Sequence, residues 1–269
     1  MIKTGLTSVT FRQKSVEEIL ALAKEAGLTG VEWGGDIHVP AGAVDIARET
    51  GRKTREAGLE VLSYGSYYRG DPGESFTPIL ESALALGAPL IRIWAGRTPY
   101  ESCPTGEWNR LTKCFQRAAD AAQQAGIRLA FEYHRDTATQ TITGALALLR
   151  DVDRANVGCY WQPNPDISQE ERVKELEALA PFLANIHVFT WSKGNIRHPL
   201  SQGEPQWKEY LAHLPQDHLP HCLILEFVQD DRVTAFREDA KTLRRWTAQW
   251  GAVKEEHHEG TCRVYQHQC

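Results

Sequence analysis

Four polar side chains each close a short apolar, β-rich run. Glu132 follows Leu129-Ala130-Phe131, Gln162 follows Cys159-Tyr160-Trp161, His187 follows Asn185-Ile186, and Glu226 follows Leu223-Ile224-Leu225. Two carboxylates, one imidazole and one amide oxygen make a mixed O/N donor set suited to a divalent ion such as Mn²⁺, Mg²⁺, Co²⁺ or Zn²⁺. Singly, each has a plainer use: Glu132 could pair with Arg135, His187 could be a satisfied core histidine, and Glu226 could cap a neighbouring helix. Repeated at the same place on successive runs, they point to one shared metal or substrate site. Burying two uncompensated carboxylates together is costly without a cation.

The elements that must position them follow from a recurring join, in which a helix-like segment ends in Gly and a short apolar run begins at once. Ala26-Gly27-Leu28, Ala57-Gly58-Leu59, Leu86-Gly87-Ala88 and Ala125-Gly126-Ile127 are such joins, about one βα unit apart. Glycine ends these helices because a left-handed residue there carries no Cβ penalty. The first helix opens with Ser15-Val16-Glu17-Glu18, a capping box, and presents Val16, Ile19, Leu20 and Ala23 as one stripe. Strands are expected at residues 3–9, 30–33, 60–64, 90–94, 129–132, 157–161, 185–188 and 222–226. Eight strands alternating with helices predict a single-domain α/β (β/α)₈ TIM barrel over residues 1–251, in which strand carboxyl ends converge on one bowl. The absence of G-x-G-x-x-G after the first strand argues against a doubly wound sheet. Residues 252–269 form a polar tail, expected to be poorly ordered, whose His257, His258 and His267 read as a frayed terminus.

Composition narrows the partners. With 269 residues and 42% hydrophobic content, the chain can bury one large core. A net charge of −5 without a sustained basic run argues against nucleic acid, and Lys241, Arg244 and Arg245 read as a solvated helix face. Six scattered cysteines without C-x-x-C suggest reduced thiols. No stretch is long and apolar enough for a membrane span, and residues 1–12 lack a secretory pattern, so the expected location is cytoplasmic.

With these residues the sequence resembles the xylose isomerase-like barrel superfamily, in its sugar phosphate isomerase/epimerase group. The matching pieces are Gly30-Val31-Glu32-Trp33, Phe131-Glu132-Tyr133-His134, Asn185-Ile186-His187-Val188, the loop Pro199-Leu200-Ser201-Gln202-Gly203 with Trp207, and Leu225-Glu226. The resemblance implies that Glu132, position 162, His187 and Glu226 hold one divalent metal that also engages vicinal oxygens of a sugar-like substrate. The chain departs from the pattern at Gln162, where the family has Asp, and at Pro165, where the epimerases have His. Gln162 removes a charge, and Asp166 is an alternative ligand.

The resemblance further implies isomerisation or epimerisation through an enediolate, with Glu132 and Glu226 as the acid/base pair. Glu32, His38, Tyr64 and Trp94 are expected to line a wall for a small polyhydroxylated substrate, with His134 on the side of Glu132. Lys193 and Arg197, with His198, are candidates for an anionic substrate end. The alternatives are an inosose-type dehydratase on the same scaffold and a degenerate, non-catalytic sugar-binding barrel. An apurinic endonuclease is disfavoured, since its zinc cluster is rich in His. Homo-oligomer formation stays open.

Overall fold

The computed structural model describes residues 2–214 and 221–264, from residue 250 onward as backbone only. Eight parallel strands close into a barrel: β1 Lys3–Thr7, β2 Gly30–Gly34, β3 Glu60–Gly65, β4 Leu90–Ile93, β5 Arg128–Phe131, β6 Val157–Trp161, β7 Leu183–Val188 and β8 Cys222–Leu225. Around the ring the order is sequential, with β8 pairing β1 through Lys3↔Cys222 to Leu6↔Leu225. Helices α1 Val16–Glu25, α2 Val44–Glu56, α3 Thr77–Leu86, α4 Thr105–Gln124, α5 Ile142–Val152, α6 Gln169–Leu179, α7 Glu204–Ala212 and α8 Val233–Val264 alternate with the strands. The (β/α)₈ architecture read from the repeat is therefore the architecture found.

The joins behave as their glycines require: Gly27, Gly58, Gly87 and Gly126 all have φ between 65° and 78°. Ser15 accepts from the Glu18 amide while Glu18 accepts from the Ser15 amide, so both orphan donors are met. An equivalent box at Ser168 and Glu171 opens α6.

Two apolar layers hold the barrel. Strands and helices bury one extensive layer between them, while Leu62, Leu90, Ala130, Tyr160, Ala184, Cys222 and Ile224 pack together as a separate small cluster. Above that plug the barrel turns polar. Glu32, Ser63, Arg92, Glu132, Asn185, His187 and Glu226 are all buried.

After β7 the chain forms an unforeseen antiparallel hairpin, Thr190–Ser192 with Ile196–His198, before α7. The late basic cluster is paired at the surface, Lys241 with Glu238 and Arg245 with Glu204. Cys103, Cys114, Cys159 and Cys222 are free thiols. Among the described residues no helix is long and apolar enough to cross a membrane. The backbone of α8 continues through Val264, but the side chains of His257 and His258, and all of His267, lie outside the described residues.

Candidate functional site

Glu132, Gln162 and Glu226 stand immediately past the ends of β5, β6 and β8, and His187 is the penultimate residue of β7. The structure brings the four together. Ligand-capable atoms of Glu132, His187 and Glu226 all lie within 4.8 Å of one another. Gln162 Nε2 donates to the Tyr133 carbonyl at 2.8 Å, which turns its Oε1 toward His187 Nδ1 at 3.1 Å. His187 Nε2 donates to Glu32 Oε1 at 3.1 Å, fixing the proton on the far side of the ring. Nδ1 then faces Gln162 Oε1, Glu226 Oε2 at 3.4 Å and Glu132 Oε1 at 3.8 Å.

Every neighbour of Nδ1 in that set is thus an oxygen acceptor. Lone pairs facing lone pairs in a buried space need a positive centre, either a proton on Nδ1 or a cation among the four atoms. Glu226 is 7% exposed and receives no side-chain hydrogen bond from the described residues; it approaches His187 Nδ1 at 3.4 Å and is attracted by the Arg92 charge. Three carboxylates, Glu32, Glu132 and Glu226, are set against one guanidinium, so a dication would bring the cluster to neutrality. The donor set therefore fits a divalent ion, with hard oxygens and one imidazole as its chemistry requires. Asp166, the alternative ligand, is an exposed rim residue outside the carboxylate–imidazole cluster.

Arg92, on β4, was not singled out from the sequence. It is 2% exposed and bridges the acids, pairing with Glu132 Oε2 and approaching Glu32 Oε1 at 3.4 Å. The signal was present: a charged residue between Ile91 and Ile93 in a barrel strand must point into the barrel and must find a counter-charge there. Glu32 also receives Ser63 Oγ at 2.7 Å and Tyr160 Oη at 2.8 Å, and Asn185 in turn donates to Tyr160 at 2.9 Å. Burial pushes the Glu32 carboxyl upward, but Arg92 and His187 outweigh it and hold the group well below the usual carboxylate range.

Several expectations for the substrate wall are corrected. Glu32 is fully buried beneath His187, where it orients the ring and is out of a substrate's reach. Tyr64 is also fully buried and donates to the Val39 carbonyl, away from the bowl. A β-bulge explains this: Val31 pairs Val61 but Glu32 pairs Ser63, so Leu62 and Ser63 both serve the interior and Tyr64 is turned outward. His38 anchors the first two loops, with Nε2 at 3.0 Å from the Lys14 carbonyl and its ring edge-on to Trp33. Arg197 is committed to Asp231 at 2.6 Å. Lys193 is exposed on the hairpin turn.

Trp94 and His134 do meet at the rim, rings 4.1 Å apart, with the Arg69 guanidinium 3.9 Å over Trp94. Beside them opens a cavity of about 360 Å³ with Glu132, Gln162 and Glu226 in its lining. One side is polar, with His134, Arg135, Gln140 and Asn164; the other is aromatic, with Phe189, Trp191 and Phe227.

A family model described as xylose isomerase-like TIM barrel matches residues 20–246. The chain belongs to that family. Its members' barrel is also what solved structures show. The chain is similar to a probable 3-DHS dehydratase involved in petrobactin synthesis from Bacillus anthracis, with 18% identity, 91% of this chain and 99% of that one covered, and a TM-score of 0.76. It is similar to a 3-keto-D-glucoside 4-epimerase from E. coli, at 17% identity over 91% and 100% of the chains, TM-score 0.68. A xylose isomerase-like barrel protein from Mycobacterium smegmatis, solved in complex with magnesium, gives 16% identity over 93% and 98%, TM-score 0.66. At these identities the likeness establishes the fold. No curated sequence matches the chain.

Proposed function

We propose that this protein is a metal-dependent isomerase or epimerase acting on a sugar or sugar-like hydroxy-carbonyl substrate. The observation that carries the reading is His187 Nδ1 facing three acceptor oxygens with no donor among them. Glu132, Gln162, His187 and Glu226 would hold the ion, and the relative from M. smegmatis solved with magnesium supports that class of ion. When bound, a dication supplies electrophilic stabilisation of the negative charge that develops when a proton leaves the carbon between a carbonyl and a hydroxyl.

The chain's own residues do the rest. Glu132 is pinned through one oxygen by Arg92, which turns the other oxygen to the cluster. Glu226 carries no such restraint and is the carboxylate free to swing toward a substrate C–H and carry its proton. His134 and Arg135 provide hydrogen-bonding groups on the polar wall.

A dehydratase would begin with the same proton abstraction and then expel a hydroxyl. The similarity to the B. anthracis protein, itself described as a probable dehydratase, keeps that reaction as the second reading. The test is solvent deuterium incorporation into a substrate C–H in the presence of Mn²⁺, across ketoses, hydroxypyruvate and inososes. Glu132→Gln and Glu226→Gln are each expected to lower exchange by at least about a hundredfold. Exchange at the wild-type rate in both variants removes them from the mechanism. Loss of a hydroxyl from the product instead of its retention selects the dehydratase.

A further inference from the structure

Phe227, directly after Glu226, has φ +47°, a left-handed backbone that a bulky side chain adopts only at a cost. In an extended chain, consecutive side chains point to opposite faces. The left-handed residue breaks that alternation, and both Glu226 and Phe227 line the same cavity. A reactive carboxylate and a flat ring are thereby placed side by side.

The surroundings hold this arrangement. The Phe227 amide donates to Thr10 Oγ1 at 3.1 Å. The Arg197 guanidinium lies 4.9 Å from the Phe227 ring centroid and is itself tied to Asp231 at 2.6 Å and the Val228 carbonyl at 3.4 Å. Trp191 stands 6.3 Å from Phe227 and stacks on Phe189 at 4.1 Å, extending the aromatic wall. The Trp191 indole N–H is buried and has no partner among the described residues. Glycine would adopt this backbone without strain, so the aromatic side chain is kept here at a cost.

We propose that Phe227 is a specificity-determining residue, and that its wall with Trp191 selects cyclic substrates that offer a C–H-rich ring face over open-chain hydroxy-ketones. The inference rests on the reading of the bowl as the substrate site. Contact between a C–H-rich ring face and this aromatic wall is expected to favour the cyclic substrate about tenfold in affinity, which is about 1.4 kcal/mol.

The experiment measures binding of two probes to the Mn²⁺-treated protein by calorimetry: scyllo-inosose as the cyclic ketone and dihydroxyacetone as the open-chain one. Wild type is expected to bind scyllo-inosose about tenfold more tightly. Phe227→Ala and Phe227→Gly are both expected to bring the two affinities within about twofold by weakening the cyclic probe alone. The change in the affinity ratio is the readout that a packing role would not produce, and thermal melting checks the backbone premise. Because Ala keeps the left-handed penalty and Gly relieves it, Phe227→Gly should melt higher than Phe227→Ala, the reverse of the usual order. Equal affinities in wild type, failure of the cyclic probe to bind, or an unchanged ratio in both variants overturns the proposal. So does an Ala variant that melts above the Gly variant. Deuterium exchange into the bound probe is followed separately, so selectivity without exchange counts against the proposed reaction and leaves the role of Phe227 standing.

Discussion

Replacing Glu32 by Gln keeps the shape of the group that orients His187 and removes its charge. Glu32 is fully buried and its two oxygens meet four partners: Ser63, Tyr160, His187 and Arg92. The hydroxyls of Ser63 and Tyr160 can rotate to accept from a new amide, so the loss falls on the two charged or polarised contacts, to Arg92 and to the imidazole. Removing one partner of a buried ion pair costs about 3–5 kcal/mol. Arg92 retains Glu132, so no charge is left unpaired and the expected loss falls below that range, to about 1.5–3 kcal/mol for the charge-assisted hydrogen bonds. Loss of the group that fixes a ligand histidine weakens metal affinity by roughly 10–100-fold. Urea unfolding and Mn²⁺ titration calorimetry at pH 7 measure the two effects on one preparation. If Glu32→Gln binds Mn²⁺ as tightly as wild type, Glu32 does not orient a metal ligand and the assignment of Nδ1 fails. If the variant loses affinity without losing stability, the buried charge balance has been misjudged.

Gln162→Asp restores a charge to the donor set, and Mn²⁺ is expected to bind at least about tenfold more tightly in calorimetry; weaker binding would mean that the Gln162 contact to the Tyr133 carbonyl matters more than charge. Asp239, buried on α8, accepts from the Leu200 amide at 2.8 Å, and burial raises its carboxyl to about 6. A carboxyl raised in the folded state binds its proton more tightly there than when unfolded, so its contribution to stability grows as pH falls from above 6 toward the unfolded value near 4. Against Asp239→Asn, wild type should therefore gain about 2 kcal/mol in urea unfolding between pH 7.5 and pH 4.5; a difference that does not vary with pH refutes this.

The elements of the barrel were legible because their signals are local. A helix that ends in a left-handed glycine and a strand of four to six apolar residues are each specified by neighbours in sequence, and Gly27, Gly58, Gly87 and Gly126 adopt the backbone their position demands. The cluster of Glu132, Gln162, His187 and Glu226 was legible for a related reason: once the strands are known to be parallel and closed, their last residues can only converge.

What escaped depends on pairing between strands. Tyr64 ends its strand as regularly as Trp94, but the bulge opposite Glu32 exists only when β2 and β3 pair, and it turns Tyr64 to the helices while Trp94 stays at the rim. Glu32 and Arg92 are separated by sixty residues, so the counter-charge that makes their burial tolerable is invisible along the chain. Residue type and period thus determine which segments form and where their ends lie. Strand register, and the charges that register forces together, decide which side chains face substrate and which hold the others in place.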